Sequence, residues 1–309
     1  MTDSGLLAFV TFGVSIGALW LGADAFVSNA ARVARRFGLS ELVVGLTVVA
    51  MGTSAPEAAV SIDAALVGNG NIAVANVVGS NLFNVGIVLG GTAALVGVRS
   101  SSRMVRRDGL AMVLSAVLML ALLWDLRVTR LDGVVLLVAF AGYLFILFDR
   151  PDESARGPAD ERRATWYTAL FLLGGLGTIV VAAHFLVASA VVIAEAAGLS
   201  EWVIGETIVA VGTSTPEIAA SVAAARKGLG DIAAGNLIGS NVFNTLLVLG
   251  VTSTLTPVLV VETAIGTTVW LLGLSVLAVV LLGTNGRLGR LEGAVLVAIN
   301  LIRWILDIA

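Results

Sequence analysis

The chain has 309 residues, of which 58% are hydrophobic and only 13% charged, with a mean hydropathy of +1.01 and a formal net charge of −3. A soluble globular chain carries about one quarter charged residues, so folding in water would leave too little polar surface, and the bilayer is the expected solvent. The absence of cysteine and the single histidine, His184, exclude disulfides, thiol catalysis, Cys-type zinc sites and His-rich metal centres.

In chain order, ten spans of about 20 apolar residues are marked off by charged or Gly/Pro/Asn-rich ends. They cover 6–31, 41–67, 72–97, 105–124, 131–148, 166–195, 201–225, 232–256, 263–283 and 289–307. The first is too long for a signal-peptide core and contains Asp24, so it reads as a retained span. Between the fifth and sixth lies a polar connector, DRPDESARGPADERR over Asp149–Arg163, with two prolines. The expected architecture is an all-α integral membrane protein. A five-helix repeat occupies 1–148, a cytoplasmic linker 149–165 and a second five-helix repeat 166–309.

The second half repeats the first at an offset of 160 residues. GLSELVVGLTVVAMGTSAPE (38–57) aligns with GLSEWVIGETIVAVGTSTPE (198–217), with 14 of 20 positions identical, and NVVGSNLFN (76–84) aligns with NLIGSNVFN (236–244). Identical polar residues in identical order mark a duplication. Five crossings per half is an odd number, so the second half enters the membrane inverted relative to the first. Placing the N-terminus outside leaves only Arg127, Arg130 and Arg303 of the 18 Arg and Lys residues on the outer side. By the positive-inside rule both termini face outward.

In the second span Ala50, Thr53, Ser54 and Glu57 fall at i, i+3, i+4 and i+7, on one helical face. Pro56 has no N–H for the Gly52 carbonyl and disrupts that turn, so carbonyls near Gly52 and Thr53 are expected to lose helical partners. Buried carbonyls, hydroxyls and a carboxylate are hard ligands suited to Na⁺ or Ca²⁺. The seventh span repeats the set as Ala210, Thr213, Ser214 and Glu217. A structural proline kink is the other reading of one such motif; its duplication at mid-membrane depth favours a site. Asn76, Ser80 and Asn84, with Asn236, Ser240 and Asn244, hold a similar face of the third and eighth spans, flanked by Asn81 and Asn241. Such residues also join membrane helices without any ligand. Gly79, Gly86 and Gly90 are expected to let these spans approach closely.

The remaining polar residues are less central. Asp24 and His184 are equivalent by the offset, and either gating or a hydrogen-bonded structural role fits them. Asp63 has no counterpart and is expected near an interface. Glu206, which stands where the first half has Leu46, reads as a boundary charge. The two central glutamates supply a charge that balances one Ca²⁺ or two Na⁺. A buried carboxylate left uncompensated is very costly, so one ion leaves only as another replaces it.

The motifs GTSAPE/GTSTPE and GSNLFN/GSNVFN, in ten spans with inverted halves, resemble the sodium/calcium exchanger branch of the calcium/cation antiporter superfamily, in its compact prokaryotic form. The resemblance implies Ca²⁺ ligation by Glu57, Glu217 and the carbonyls of Thr53 and Thr213. It implies Na⁺ ligation by Glu57, Glu217, the carbonyls of Ala50 and Ala210 and the hydroxyls of Ser54, Ser80, Ser214 and Ser240. Asn84 and Asn244 match the remaining central positions. It further implies that the first and sixth spans, carrying Asp24 and His184, slide against a core of the second, third, seventh and eighth. Many relatives have an aspartate where this chain has Asn244, which argues against K⁺ co-transport.

The resulting expectation is Na⁺-driven Ca²⁺ antiport across the cell membrane by alternating access. The alternative is a Ca²⁺/H⁺ or broader divalent-cation antiporter. A passive channel fits poorly with a pseudo-two-fold site within one chain, and an enzyme would want a water-activating His or acid cluster. No cofactor is expected beyond the transported Na⁺ and Ca²⁺, and the expected surroundings are the lipid bilayer, with no nucleic acid and no obligatory protein partner.

Overall fold

The computed structural model describes residues 3–36, 50–149, 166–198, 200–226 and 230–308. Nearly all of them are helical. Among the described residues, six helices are long and apolar enough to cross a membrane: Leu6–Phe26, Gly70–Val96, Arg130–Phe148, Trp166–Ile193, Ala233–Leu255 and Thr263–Thr284. The other four expected spans look different for physical reasons. The second lies partly outside the described residues and continues as Ala50–Thr53 and Ala55–Leu66; the seventh is likewise divided, into Glu201–Ile204, Gly205–Val209, Ala210–Thr213 and Thr215–Arg226. The fourth runs from Ser102 to Leu122 with a wide π-helical turn at Val105–Gly109. The tenth, Arg290–Ile308, is long enough but carries Arg290, Glu292, Arg303 and Asp307. The polar linker 150–165 lies outside the described residues.

Burial sorts the long helices. Within an 18-residue apolar stretch of Gly70–Val96 and of Ala233–Leu255, 94% and 89% of the residues are buried, against fewer than half in the matching stretch of each of the others. These two helices form the centre. The outer ones turn Leu, Val and Phe outward, as at Leu131, Phe145 and Leu291, which is the stable arrangement where lipid is the solvent. The helices Asp3–Arg36 and Trp166–Ala197 pack mainly on one another, crossing closely where a Cβ on Gly22 would meet the Gly175 carbonyl at 3.0 Å.

Close approach in the centre obeys the repeat. A Cβ on Gly293 would sit 2.4 Å from the Gly90 carbonyl oxygen, and one on Gly133 2.7 Å from that of Gly250; the two pairs interconvert under the 160-residue offset. Gly79 likewise admits the backbone of Glu206, at 2.4 Å from its own missing Cβ.

Two short antiparallel pairs clasp the halves together. Val98 and Arg99 pair with Leu288 and Arg287, and Arg127 and Val128 pair with Leu259 and Val258. Each pair becomes the other on shifting by 160. The flanking bonds follow the same rule: the Ser100 amide donates to the Gly286 carbonyl and the Val260 amide to that of Leu126, both at 3.0 Å. Gly286 and Leu126 both have φ of 61°, a conformation that costs a non-glycine residue about 1–2 kcal/mol. Leu126 adopts it because its carbonyl closes the clasp. Strands of two residues show no periodicity, so the sequence gives no sign of them.

Two expectations about charge are corrected. Glu206 is not a boundary charge: it is buried, accepts a 2.9 Å hydrogen bond from Trp202 Nε1, and lies 3.7 Å from Arg303 Nη2. Arg303 therefore does not belong among the outer loop charges; it is buried in the tenth span and donates to Thr267 Oγ1 at 2.6 Å. Its position matches Tyr143 in the first half, which is also buried and donates to the buried Asp108 at 3.2 Å. Buried polar side chains of different chemistry thus occupy this one pair of equivalent places, each with its own partner.

Two outcomes test this packing. Gly293→Ala is expected to destabilise the protein by about 1–3 kcal/mol through overpacking, whereas Gly142→Ala, with nothing within 4 Å of the added carbon, leaves the thermal midpoint in detergent unchanged or slightly raised. Arg303→Leu strands the Glu206 carboxylate and is expected to cost about 3–5 kcal/mol, most of it recovered when Glu206→Leu is added. Thermal unfolding of the single and double variants measures both terms.

Candidate cation site

The sequence breaks both motif helices at the same residue. Ser54 has φ −84° and ψ 7°, and Ser214 has φ −83° and ψ 10°. Two residues later Pro56 and Pro216 lack the N–H that would bond the Gly52 and Gly212 carbonyls. Each helix restarts after its serine, and Glu57 and Glu217 sit in the new first turn, where the helix N-terminus favours negative charge.

Ser-x-x-Glu at a helix start is the pattern of a capping box, yet the Ser54 side chain does not cap its own helix. It reaches across to the other half and donates to Glu217 Oε1 at 3.1 Å, while Ser214 donates to Glu57 Oε1 at 2.8 Å. The two hydrogen bonds are exchanged by the repeat, and all four side chains are buried.

A second layer fixes this centre. Thr213 Oγ1 donates to Asn76 Oδ1 at 3.2 Å and lies 3.4 Å from Ser80 Oγ. Asn76 Nδ2 donates to Ser61 Oγ at 3.0 Å and to the Glu57 carbonyl at 3.3 Å, and Asn236 repeats the first contact with Ser221 at 3.2 Å. Asn81 and Asn241 donate to each other's backbone carbonyls at 3.4 and 3.1 Å. Asn81 further bonds Thr245 at 2.8 Å and accepts from Asn244 Nδ2 at 3.2 Å. Asn81, Asn241 and Thr245 thus join the two central helices, while Ser61 and Ser221 tie each motif helix to its central neighbour. Ser61, Ser221 and Thr245 were not singled out from the sequence; the offset pairs Ser61 with Ser221, which is the signal that could have found those two.

What stays unpaired is as informative. Glu57 Oε2, Glu217 Oε2, Ser240 Oγ, Asn244 Oδ1 and both polar atoms of Asn84 are buried and have no hydrogen-bond partner among the described residues. Asn84 and Asn244 open the wide turns Asn84–Leu89 and Asn244–Val248, a local geometry common at functional sites. Free carboxylate, hydroxyl and amide oxygens form a hard donor set. Among the described residues no three His, Cys, Asp or Glu side chains cluster, so any cation here depends on two carboxylates and neutral oxygens.

Most of the expected residues come together: Ser54 meets Glu217, Ser214 meets Glu57 and Ser80 meets Thr213 across the two halves, and Thr53 is buried next to Ser54. Ser240, Asn84 and Asn244 are buried with unpaired oxygens on the adjoining helices. The Ala50 carbonyl accepts from both the Ser54 amide (3.0 Å) and Thr53 Oγ1 (3.3 Å), and the Ala210 carbonyl accepts from the Ser214 amide (3.0 Å) and lies 3.2 Å from Thr213 Oγ1. Asp24 and His184 are not in the centre. Both are exposed on the outer helix pair, and His184 Nδ1 lies 3.2 Å from Asp63 Oδ1, a partner the sequence did not reveal because Asp63 has no repeat equivalent.

The chain is similar to known proteins over most of its length. A profile of the family described as sodium/calcium exchanger protein matches residues 7–148 and 166–303. The sodium/calcium exchanger MaX1 of Methanosarcina acetivorans is 33% identical over 318 residues, covering 89% of this chain and 91% of its own. The inner membrane protein YrbG of Escherichia coli is 35% identical over 263 residues, covering 82% and 81%. A solved structure of the sodium-calcium exchanger NCX_Mj superposes with a TM-score of 0.71 at 31% identity, covering 96% of this chain and 98% of that one. On this evidence the chain belongs to the sodium/calcium exchanger family and is a multi-pass membrane cation antiporter, not an enzyme.

Proposed function

We propose that this protein exchanges Na⁺ for Ca²⁺ by alternating access, with both ions using one mid-membrane site built on Glu57 and Glu217. The observation that carries the reading is the reciprocal pair of bonds, Ser54 to Glu217 and Ser214 to Glu57, which leaves one buried oxygen of each carboxylate unpaired among the described residues. A hydroxyl that donates to a carboxylate still offers lone pairs to a cation. Ser54, Ser80, Ser214 and Ser240 can therefore bind Na⁺ without releasing the glutamates, with the Ala50 and Ala210 carbonyls at the ends of the set. Ca²⁺, which takes six to eight oxygens, draws on both glutamates and the Thr53 and Thr213 carbonyls at the helix breaks. Asn84 and Asn244 line the centre as neutral groups.

Exchange follows from charge. Two carboxylates in a low-dielectric core repel each other and are poorly solvated, so the site is stable only when filled. Calcium and sodium then displace each other, and the empty carrier rarely crosses. Ten crossings in two inverted halves, 1–148 and 166–309 about the linker 149–165, with both termini outward, place the two motifs face to face. The outer pair of long helices, tied to the core through His184 and Asp63, is the element that moves.

A second reading, Ca²⁺/H⁺ antiport, has one observation in its favour. No arginine, lysine or histidine contacts Glu57 or Glu217 among the described residues, so protons could neutralise them in place of Na⁺.

Proteoliposomes loaded with Na⁺ and diluted into Na⁺-free buffer are expected to take up radiolabelled Ca²⁺, with no requirement for a pH gradient. Glu57→Gln and Glu217→Gln are each expected to lower that uptake at least about a hundredfold, since each removes a buried ligand charge worth several kcal/mol. Uptake driven only by a pH gradient overturns sodium coupling. Full transport in both glutamine variants overturns the site.

A further inference from the structure

The clasp formed by Val98–Arg99 and Arg287–Leu288 borders a cavity of about 460 Å³. Arg99, Arg287 and Arg290 line it, together with Val96, Gly97 and Ala225. All three arginines are exposed, and among the described residues their side chains form no ion pair and no hydrogen bond. Among the described residues no carboxylate lines the cavity. The nearest acid along the chain, Glu292, is engaged, accepting the Gly289 amide at 2.6 Å.

The repeat does not account for this grouping. Shifting by 160 carries Arg287 and Arg290 to Arg127 and Arg130, but Arg99 to Leu259. The opposite clasp therefore lacks the third arginine, and Asp125 there accepts the Arg127 amide at 3.1 Å. Retention of positive charge on one side of a membrane needs arginines in the loops; it does not need three around one cavity, where they repel each other unless an anion lies between them.

The ligand chemistry follows from the donors and the rim. Guanidinium groups match phosphate oxygens in forked pairs. The cavity lies at the ends of membrane helices, and its edge is apolar: Val96 and the preceding Leu95 are exposed. Basic pockets at this depth suit lipid headgroups. We propose that the cavity binds the phosphate of an anionic phospholipid, with its acyl chains along Leu95 and Val96. The headgroup joins Arg99 of the first half to Arg287 and Arg290 of the second, and so reinforces the clasp. This site is independent of which cations are exchanged.

The full chain in detergent, probed by native mass spectrometry with phosphatidylglycerol and with phosphatidylcholine, tests it. Wild type is expected to retain phosphatidylglycerol selectively. Arg99→Gln combined with Arg287→Gln and Arg290→Gln is expected to weaken that binding about tenfold or more, and Arg290→Gln alone, should the triple variant fail to fold, about fivefold. Arg127→Gln with Arg130→Gln, at the opposite clasp, leaves it unchanged. Inorganic phosphate at millimolar concentration is expected to compete with the lipid. Equal loss at the two clasps, unchanged binding in the arginine variants, or binding of inorganic phosphate with no preference for phosphatidylglycerol overturns the proposal.

Discussion

Two carboxylates buried side by side at the centre of a membrane protein are the constraint on which the rest of the structure depends. Glu57 and Glu217 are both fully buried, and no cationic side chain among the described residues compensates them. Isolated ionised carboxylates in such surroundings cost many kcal/mol. The fold meets this with dipoles instead of opposite charges: a serine hydroxyl from the other half on each carboxylate, and a broken helix that places each glutamate at a positive helix end. Partial dipoles hold an anion in place without neutralising it. That leaves a standing demand for a cation, which is the property an exchanger needs.

Duplication supplies the geometry cheaply. One segment, copied and inverted, yields two serine–glutamate bonds, two asparagine bridges, two glycine contacts and two clasps, each converted into its partner by the same offset. Departures from that symmetry stand out for the same reason. Glu206 with Arg303 stands where the first half has Leu46 and Tyr143, Asp63 with His184 has no equivalent pair, and the third arginine beside one clasp replaces a leucine. These asymmetries lie outside the centre, where the two membrane faces and the two halves have different work.

The motif residues were legible in the sequence because cost reveals purpose: a proline and a glutamate in an apolar helix, twice, require a reason. The helix breaks followed from Pro56 and Pro216. The direction of the serine hydroxyls did not follow, because Ser54 and Glu57 also satisfy a local capping pattern and only the partner helix decides between them. Glu206 was misread since its compensation, Arg303, is nearly a hundred residues away. Arg303 itself sits beside apolar residues that resemble a span end. The clasps were invisible, for two-residue strands leave no pattern to read.

The central claim is that one carboxylate pair serves both ions. It is tested most directly by equilibrium binding of radiolabelled Ca²⁺ to the purified protein in detergent as Na⁺ is raised. The account predicts a single class of Ca²⁺ site, displaced competitively and completely by Na⁺. Calcium binding that persists at saturating Na⁺, with both ions held together, would contradict it.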